Sequence, residues 1–148
     1  MGRQSKEQWQ FKTFESRTKT AKHLRITNNM IESPAWQNLS CYAITVYVHM
    51  KAKYNFSNQD DISMTYEEAK KLMAKATFSK AIDELIETGF IQLIRQSWTA
   101  RQPNIYSFSE MWQQYGTDNF KIQKRRKRDS EFNKPKPKTG MKQRSRAP

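Results

Sequence analysis

Two short stretches of this sequence concentrate side chains that can donate hydrogen bonds to phosphates and to the edges of nucleic-acid bases. The first is rich in amines and hydroxyls, and it consists of Lys75, Thr77, Ser79 and Lys80. The second combines guanidinium, indole and amide groups, in Arg95, Trp98, Arg101 and Gln102. Lysine can donate to guanine O6 and N7 or to phosphate, and serine and threonine can bond to phosphate or to a base edge. Arginine is favoured by the negative potential of a narrow minor groove. The chemistry indicated is therefore nucleic-acid contact, provided that the fold presents both stretches together.

Helix signals surround the first stretch. Thr65 and Glu68 form a capping box, which predicts a short helix over about residues 66–73, with a turn at residues 74–76. A second helix is predicted to begin near Thr77, because apolar side chains recur after it at the spacing of one buried helix face. These side chains are Phe78, Ala81, Ile82, Leu85 and Ile86.

Strand signals surround the second stretch. Gly89 supplies a left-handed residue that ends the second helix, and an apolar strand is predicted directly after it, over residues 90–94. Residues 105–108 are the expected antiparallel partner, so residues 96–103 form the loop of a β-hairpin. At the tip of that loop, Trp98 either packs back onto the domain or contacts a sugar, a base or a partner.

Another helix precedes the capping box. Ser40 can cap it, and its apolar face is expected to end before Asn55 after roughly 14 residues. That face carries Ala43, Val46, Tyr47, Met50 and Tyr54. Cys41 is expected to be buried or half-buried on the same helix. Short strands are expected at residues 23–27, as a third strand of the hairpin, and at residues 62–64, pairing with the hairpin.

Two helices joined by a tight turn and followed by a hairpin have the element order of a winged helix-turn-helix. The run A-T-F-S-K-A-I-D-E-L-I-E-T-G-F-I, the strand after it, P-N-I-Y-S-F and the earlier S-P-A-W-Q-N-L-S resemble the winged-helix domains of bacterial plasmid and phage replication initiators and related mobile-element DNA-binding proteins. The resemblance covers about Leu24 to Gly116. It implies an α+β fold with a three-helix core and a two- or three-stranded β-hairpin wing.

The resemblance also implies a function. Such domains bind double-stranded DNA in replication initiation or control, or in transcriptional regulation of the mobile element. The turn from Thr77 to Lys80 is then expected in the major groove, since the N-terminal residues of a recognition helix usually reach the base edges. The wing is expected on the backbone or in the minor groove through Arg101. Winged-helix initiators and regulators often form homodimers, so self-association and contacts with replication or regulatory proteins belong to the same expectation.

Positive charge is concentrated at the two ends of the chain. The 148 residues carry a net charge of +13, divided into +5 over residues 1–25, −2 over residues 26–120 and +10 over residues 121–148. We expect a flexible basic arm over residues 1–23, a folded domain over residues 24–120 and a disordered basic tail over residues 121–148, because the tail has almost no apolar side chains. Basic segments beside a folded domain favour a polyanionic partner. Non-specific phosphate contact is predicted for Lys124, Arg125, Arg126, Lys127 and Arg128.

The second helix also carries a signal against DNA. Asp83, Glu84 and Glu87 make its later part acidic, and carboxylates are repelled by phosphates. Either only its first turn enters a groove, or the domain is a protein-interaction module whose basic tails bind nucleic acid non-specifically.

Catalysis and export are not expected. The sequence has no phosphate-binding glycine loop, no nucleophile elbow and no Cys/His cluster for a metal, so neither an enzymatic activity nor a cofactor is predicted. It also lacks an apolar signal-peptide core and any apolar run long enough to cross a bilayer. A cytoplasmic location without membrane contact is the resulting expectation.

Overall fold

The computed structural model of the chain describes residues 23–97 and 102–126. Over these residues the fold is α+β, as predicted, with five α-helices, one two-stranded antiparallel sheet and one 3₁₀ helix. The elements are α1 (Asn28–Glu32), α2 (Pro34–Gln37), α3 (Cys41–Ala52), α4 (Tyr66–Ala69), α5 (Lys75–Glu87), β1 (Ile91–Arg95), β2 (Ile105–Phe108) and the 3₁₀ helix Met111–Gln114. In the described part of the chain, no helix is both long and apolar enough to traverse a bilayer.

Hydroxyl side chains start four of the helices. Ser40 Oγ accepts a hydrogen bond from the Ala43 N–H at 3.2 Å, which confirms the predicted cap of α3. Thr65 Oγ1 accepts from the Glu68 N–H at 3.2 Å, while the Glu68 carboxylate accepts from the Thr65 N–H at 2.8 Å. The predicted capping box of α4 is thus present in full. Thr27 and Ser33 cap α1 and α2 in the same way.

The boundary between α4 and α5 differs from the prediction. α4 ends at Ala69, not near Met73, and α5 begins at Lys75, not near Thr77. The predicted turn at residues 74–76 is therefore wrong: Ala74 is extended (ψ 151°), and the two residues after it are already helical. Lysine and alanine are strong helix formers, so nothing in this segment delays the helix. The consequence is that Lys75 belongs to the opening turn of α5.

The core forms where α3 packs across α5. All five apolar residues predicted for the inner face of α5 are buried, and so are four of the five predicted for α3. Tyr47 of α3 makes edge-to-face ring contacts with Trp36, Phe90 and Phe108, at centroid distances of 5.4 to 5.9 Å. Such pairs stabilise beyond the area they bury. Cys41, in contrast, is exposed, since it occupies the first turn of α3 outside this face.

The two strands pair as expected, with Ile91 opposite Phe108 and Leu93 opposite Tyr106. Ile62 adds a single bridge, because it exchanges backbone hydrogen bonds of 3.0 and 2.8 Å with Tyr106. The predicted strand at residues 23–27 is wrong: this segment has no regular structure and is mostly exposed.

Gly89 joins the helical and C-terminal parts of the domain. Its φ of +82° is the left-handed conformation predicted for the end of α5. Its carbonyl accepts a hydrogen bond of 3.1 Å from the Trp112 N–H, and the Trp112 ring stacks on Phe90 with 6° between the ring planes. A Cβ at Gly89 would lie 2.7 Å from Trp112 N, so only glycine allows this approach. The 3₁₀ helix therefore closes the core, and the chain continues from it back toward α5.

Candidate nucleic-acid interface

The first two turns of α5 present two exposed lysines. Lys75 is exposed, and its Nζ lies 4.6 Å from the centre of the Tyr66 ring. Lys80 is exposed as well, and Thr77 between them is half-buried. Because α5 begins at Lys75, its first free backbone amides lie in the same turn as Lys75 and Thr77. Both lysines predicted to contact nucleic acid are thus accessible to solvent.

Ser79 has a different environment from the one predicted. Its hydroxyl accepts a hydrogen bond of 3.0 Å from Arg125 Nη2, and its carbonyl accepts a second one of 2.8 Å from the same nitrogen. The Ser79 side chain is therefore occupied within the domain and is not a free base- or phosphate-contacting group. No local pattern around Ser79 indicates this partner, which lies 46 residues further along the chain.

Arg125 is the best-anchored cation of this surface. Its Nε donates to Asp83 Oδ1 at 2.8 Å, and only 12% of its side chain is exposed. Burial alone lowers the pKa of the Arg125 guanidinium, but the hydrogen bond with Asp83 and the nearby Tyr106 oxygen act in the opposite direction, and the net pKa is raised. A planar guanidinium holds its donors in a rigid fork, so one side chain binds a carboxylate, a hydroxyl and a carbonyl in a defined orientation. Arg125 is thus a structural cation, not the loose phosphate contact that was predicted.

Residues 121–126 form a segment that we call the strap. Arg126 follows the anchor and exchanges two hydrogen bonds with the side chain of Gln96: its N–H donates to Gln96 Oε1 at 3.0 Å, and its carbonyl accepts from Gln96 Nε2 at 2.7 Å. Lys124 pairs with Glu87 at 3.1 Å, with both side chains largely exposed. The strap therefore connects α5 to the base of the hairpin loop.

The strap corrects the predicted division of the chain. Residues 121–126 were assigned to a disordered tail, but they pack against the domain, which thus extends at least to Arg126. The half-buried Ile122 lines a groove of about 320 Å³ together with Ile86, Ile91 and Leu93. The basic residues of the strap find acidic partners on α5. Composition alone could not reveal this, since the cations and the carboxylates lie about forty residues apart.

The strap also supplies cations to two of the three carboxylates on α5 that argued against DNA binding. Asp83 is paired with Arg125 and Glu87 with Lys124. Glu84 points the other way, and its Oε2 accepts a hydrogen bond of 3.0 Å from the Ser40 N–H at the start of α3. Each carboxylate on the second half of α5 therefore has a donor within the chain, which reduces the net negative charge that this helix presents.

The hairpin loop is fixed at its base. The Ser97 N–H donates to Asn104 Oδ1 at 2.8 Å, and Asn104 Nδ2 donates to the Tyr106 hydroxyl at 3.1 Å. Arg95 and Gln102, both predicted to contact nucleic acid, are exposed on either side of the loop. The other predicted residues, Trp98 and Arg101 in the loop and Lys127 and Arg128 beyond the strap, lie outside the described residues.

A cavity between α1, α3 and the 3₁₀ helix was not predicted. It measures about 610 Å³, and Lys51 lies in its wall with Nζ 4.6 Å from the centre of the Phe108 ring. Burial lowers the pKa of the Lys51 ammonium and raises the pKa of the neighbouring Tyr47 hydroxyl to about 12. The apolar spacing along α3 indicated its core face, but it could not show that an aromatic wall and a lysine meet at an opening.

Comparison with known proteins gives no further assignment: no protein-family model, no curated protein and no solved structure matches this chain.

Proposed function

We propose that this chain binds double-stranded DNA as a winged helix-turn-helix protein. In this proposal α4 and α5 are the helix-turn-helix, α5 is the recognition helix, and the β1–β2 hairpin is the wing. The opening turn of α5 enters the major groove, whose width admits one α-helix. The wing follows the backbone or the adjoining minor groove through Arg95, Arg101 and Gln102. Sequence-independent affinity comes from Lys124, Arg126, Lys127 and Arg128.

The observation that carries the proposal is the distribution of charge along α5. Lys75 and Lys80 are exposed in its first two turns, while each of the three carboxylates of its second half accepts a donor from within the chain. A helix that ended in unpaired carboxylates would repel phosphates. Here the accessible charge is concentrated where a recognition helix meets its groove, beside a hairpin loop flanked by exposed Arg95 and Gln102.

The biological setting rests on the resemblance alone. The residues that resemble plasmid and phage replication initiators favour replication initiation or control of a mobile element, with transcriptional regulation as the other role. Winged helices serve both roles, so the geometry of the site supports DNA as the ligand but does not distinguish replication from transcriptional regulation. Identification of the bound sequence among fragments of the host replicon would separate an origin from a promoter.

A protein-interaction module is the alternative, and Phe56 is the observation that favours it. Its side chain is 87% exposed, and its φ of +70° is unusual for a residue other than glycine. Asn55 Oδ1 accepts from the Ser57 and Asn58 N–H groups at 3.1 Å each, so the loop holds Phe56 in this conformation. A strained and exposed aromatic residue is suited to a protein contact.

Mobility shifts with the full-length chain separate the two functions. On the DNA-reading model, Lys80→Ala weakens duplex binding about tenfold and lowers the salt slope by about 1. The matched control is Arg25→Ala, which removes one exposed charge outside α5, the hairpin and the strap. If Lys80→Ala matches this control while neutralising Lys127 and Arg128 abolishes binding, the domain does not read DNA and the alternative is supported.

A further inference from the structure

The strap occupies a definite place relative to the two elements proposed to meet DNA. Arg125 binds α5 through Ser79 and Asp83, and the next residue, Arg126, binds the base of the hairpin loop through Gln96. The chain therefore runs between the recognition helix and the wing. When a helix lies in the major groove and a wing reaches the adjoining minor groove, the sugar–phosphate strand that separates the two grooves passes between them.

The two ends of the strap differ in what they leave accessible. Arg125 is mostly buried, and its Nε and Nη2 groups donate to Asp83 and Ser79. Arg126 is exposed, and its guanidinium has no carboxylate partner among the described residues, although its backbone is held on both sides by Gln96. Lys124 is exposed, and within residues 23–97 and 102–126 its one ion pair is with Glu87. That pair is solvent-accessible, so it is weak and easily exchanged for another anion.

We infer that the strap is a fixed phosphate-contact ridge, in which Arg125 is the positioning residue and Arg126 and Lys124 are the groups that meet the phosphate strand between the two grooves. The inference rests on the proposed function and adds a third contact surface to it. It replaces a loose basic tail, at this part of the chain, with cations held in register with α5 and the hairpin loop. A held cation loses less conformational entropy on binding than a free one, so each contact contributes more.

The inference predicts an unusual effect on DNA affinity when the Asp83 carboxylate is removed. If the contact between Arg125 and Asp83 did not position the strap, removal of this carboxylate would take a negative charge from the DNA-facing side and release the guanidinium. The affinity for DNA would then rise. If the strap is a ridge, the same change removes the anchor of Arg125, and affinity falls. The direction of the change in affinity therefore distinguishes a loose strap from a fixed ridge. Loss of a repulsive carboxylate alone would raise the affinity, so it cannot explain a fall.

The test measures binding of the 148-residue chain to a short labelled duplex by fluorescence anisotropy, from about 50 to about 200 mM salt. Asp83→Ala, Gln96→Ala and Arg126→Gln are each expected to weaken binding about tenfold and to lower the salt slope by about 1. Glu67→Ala is the matched control: it removes an exposed carboxylate from α4 that has no contact with the strap, and it is expected to bind as wild type or more tightly. Thermal unfolding of each variant, followed by circular dichroism, verifies the fold.

Each outcome decides one proposal or both. Binding by Asp83→Ala that equals or exceeds that of wild type, or a salt slope unchanged in Arg126→Gln, overturns the ridge. Should wild type bind duplex in a Lys80-dependent way while Asp83 and Arg126 have no influence, only the ridge fails and the proposed function stands. Absence of duplex binding by the wild-type chain overturns both. Because Gln96 lies on the hairpin and not on α5, its variant retains the full charge of α5 and repeats the test at a second site.

Discussion

The carboxylate of Glu84 accepts a hydrogen bond of 3.0 Å from the backbone N–H of Ser40, the capping residue of α3, 44 residues earlier in the chain. One contact thus ties α5 to the N-terminus of the helix packed across it. The N-terminus of a helix attracts negative charge, because its first amides are unpaired and its dipole is positive there. Glu84 therefore has a structural role, whereas Asp83 and Glu87 pair with the strap.

Replacement of Glu84 by alanine is expected to lower the free energy of unfolding by about 1.5 kcal/mol, because the Ser40 amide loses its partner and the helix start loses a charge. Urea unfolding measures this difference. Glu87→Ala is the control, since an exposed pair with Lys124 is expected to contribute less than about 0.5 kcal/mol. Equal losses in the two variants would refute a special role for the contact with α3.

Gly89 and Gly116 make a matched pair for a second prediction. Both have a positive φ, +82° and +81°, but a Cβ at Gly89 would lie 2.7 Å from Trp112 N, while a Cβ at Gly116 meets nothing within 4 Å. Gly116→Ala is expected to cost about 1 kcal/mol of conformational strain. Gly89→Ala adds a backbone clash and is expected to cost about 3 kcal/mol or more. Thermal denaturation of both variants checks the order, and similar melting temperatures would contradict the close approach.

Acid is expected to weaken the capping box of α4. The pKa of Glu68 is lowered from 4.5, first by its hydrogen bond with Lys53 and then by the Thr65 N–H. A lowered pKa in the folded state means that this contribution is present above pH 4.5 and is lost as the pH falls through the folded pKa. Glu68→Gln should therefore reduce the urea midpoint at pH 7 but make little difference near pH 3. A loss of equal size at both pH values would show that the charge of Glu68 is unimportant.

Alkali should act on the buried aromatic cluster. Burial raises the pKa of Tyr47 to about 12 from its ordinary 10.0, so the folded state favours the neutral phenol. Stability from this group is present below pH 10 and is lost as the pH rises toward 12. Tyr47→Phe is expected to unfold less readily than wild type in this range, as followed by circular dichroism. Ultraviolet titration provides the check, since the variant should lose amplitude from the late phenolate transition, to which Tyr106, whose pKa is also raised by burial, contributes as well. Loss of amplitude near pH 10 instead would place Tyr47 among the exposed tyrosines.

Local patterns predicted what local interactions determine. The capping box of Thr65 and Glu68 spans three residues, and the apolar face of α5 repeats within one helix, so neighbouring residues were sufficient to predict both. The pairing of β1 with β2 followed from two apolar runs separated by a polar loop. The start of α5 was misplaced by two residues, because Ala74 takes an extended conformation that its side chain does not reveal.

Contacts between distant parts of the chain could not be predicted in this way. Arg125 contacts Ser79 and Asp83 across more than forty residues of sequence. The basic composition of residues 121–126 predicted disorder, because composition does not reveal such distant partners. One signal was available: the lone apolar side chain of Ile122 within a basic run, together with three carboxylates on a helix otherwise suited to DNA. The exposure of Cys41 had no such signal, because its position relative to the core depends on the rotation of α3.

The two hydrogen bonds between the Gln96 side chain and the Arg126 backbone have a practical consequence for labelling or immobilising this protein. Because the side chain at the base of the hairpin loop holds the backbone 30 residues later, the chain returns to the point from which the hairpin departs. A dye, crosslinker or fusion partner joined directly after Arg126 would be delivered beside that loop, where, on the proposed function, it would crowd an incoming duplex or report on its arrival. Attachment ahead of α1 avoids this steric conflict, and comparison of the two attachment points would itself measure how near a bound molecule comes.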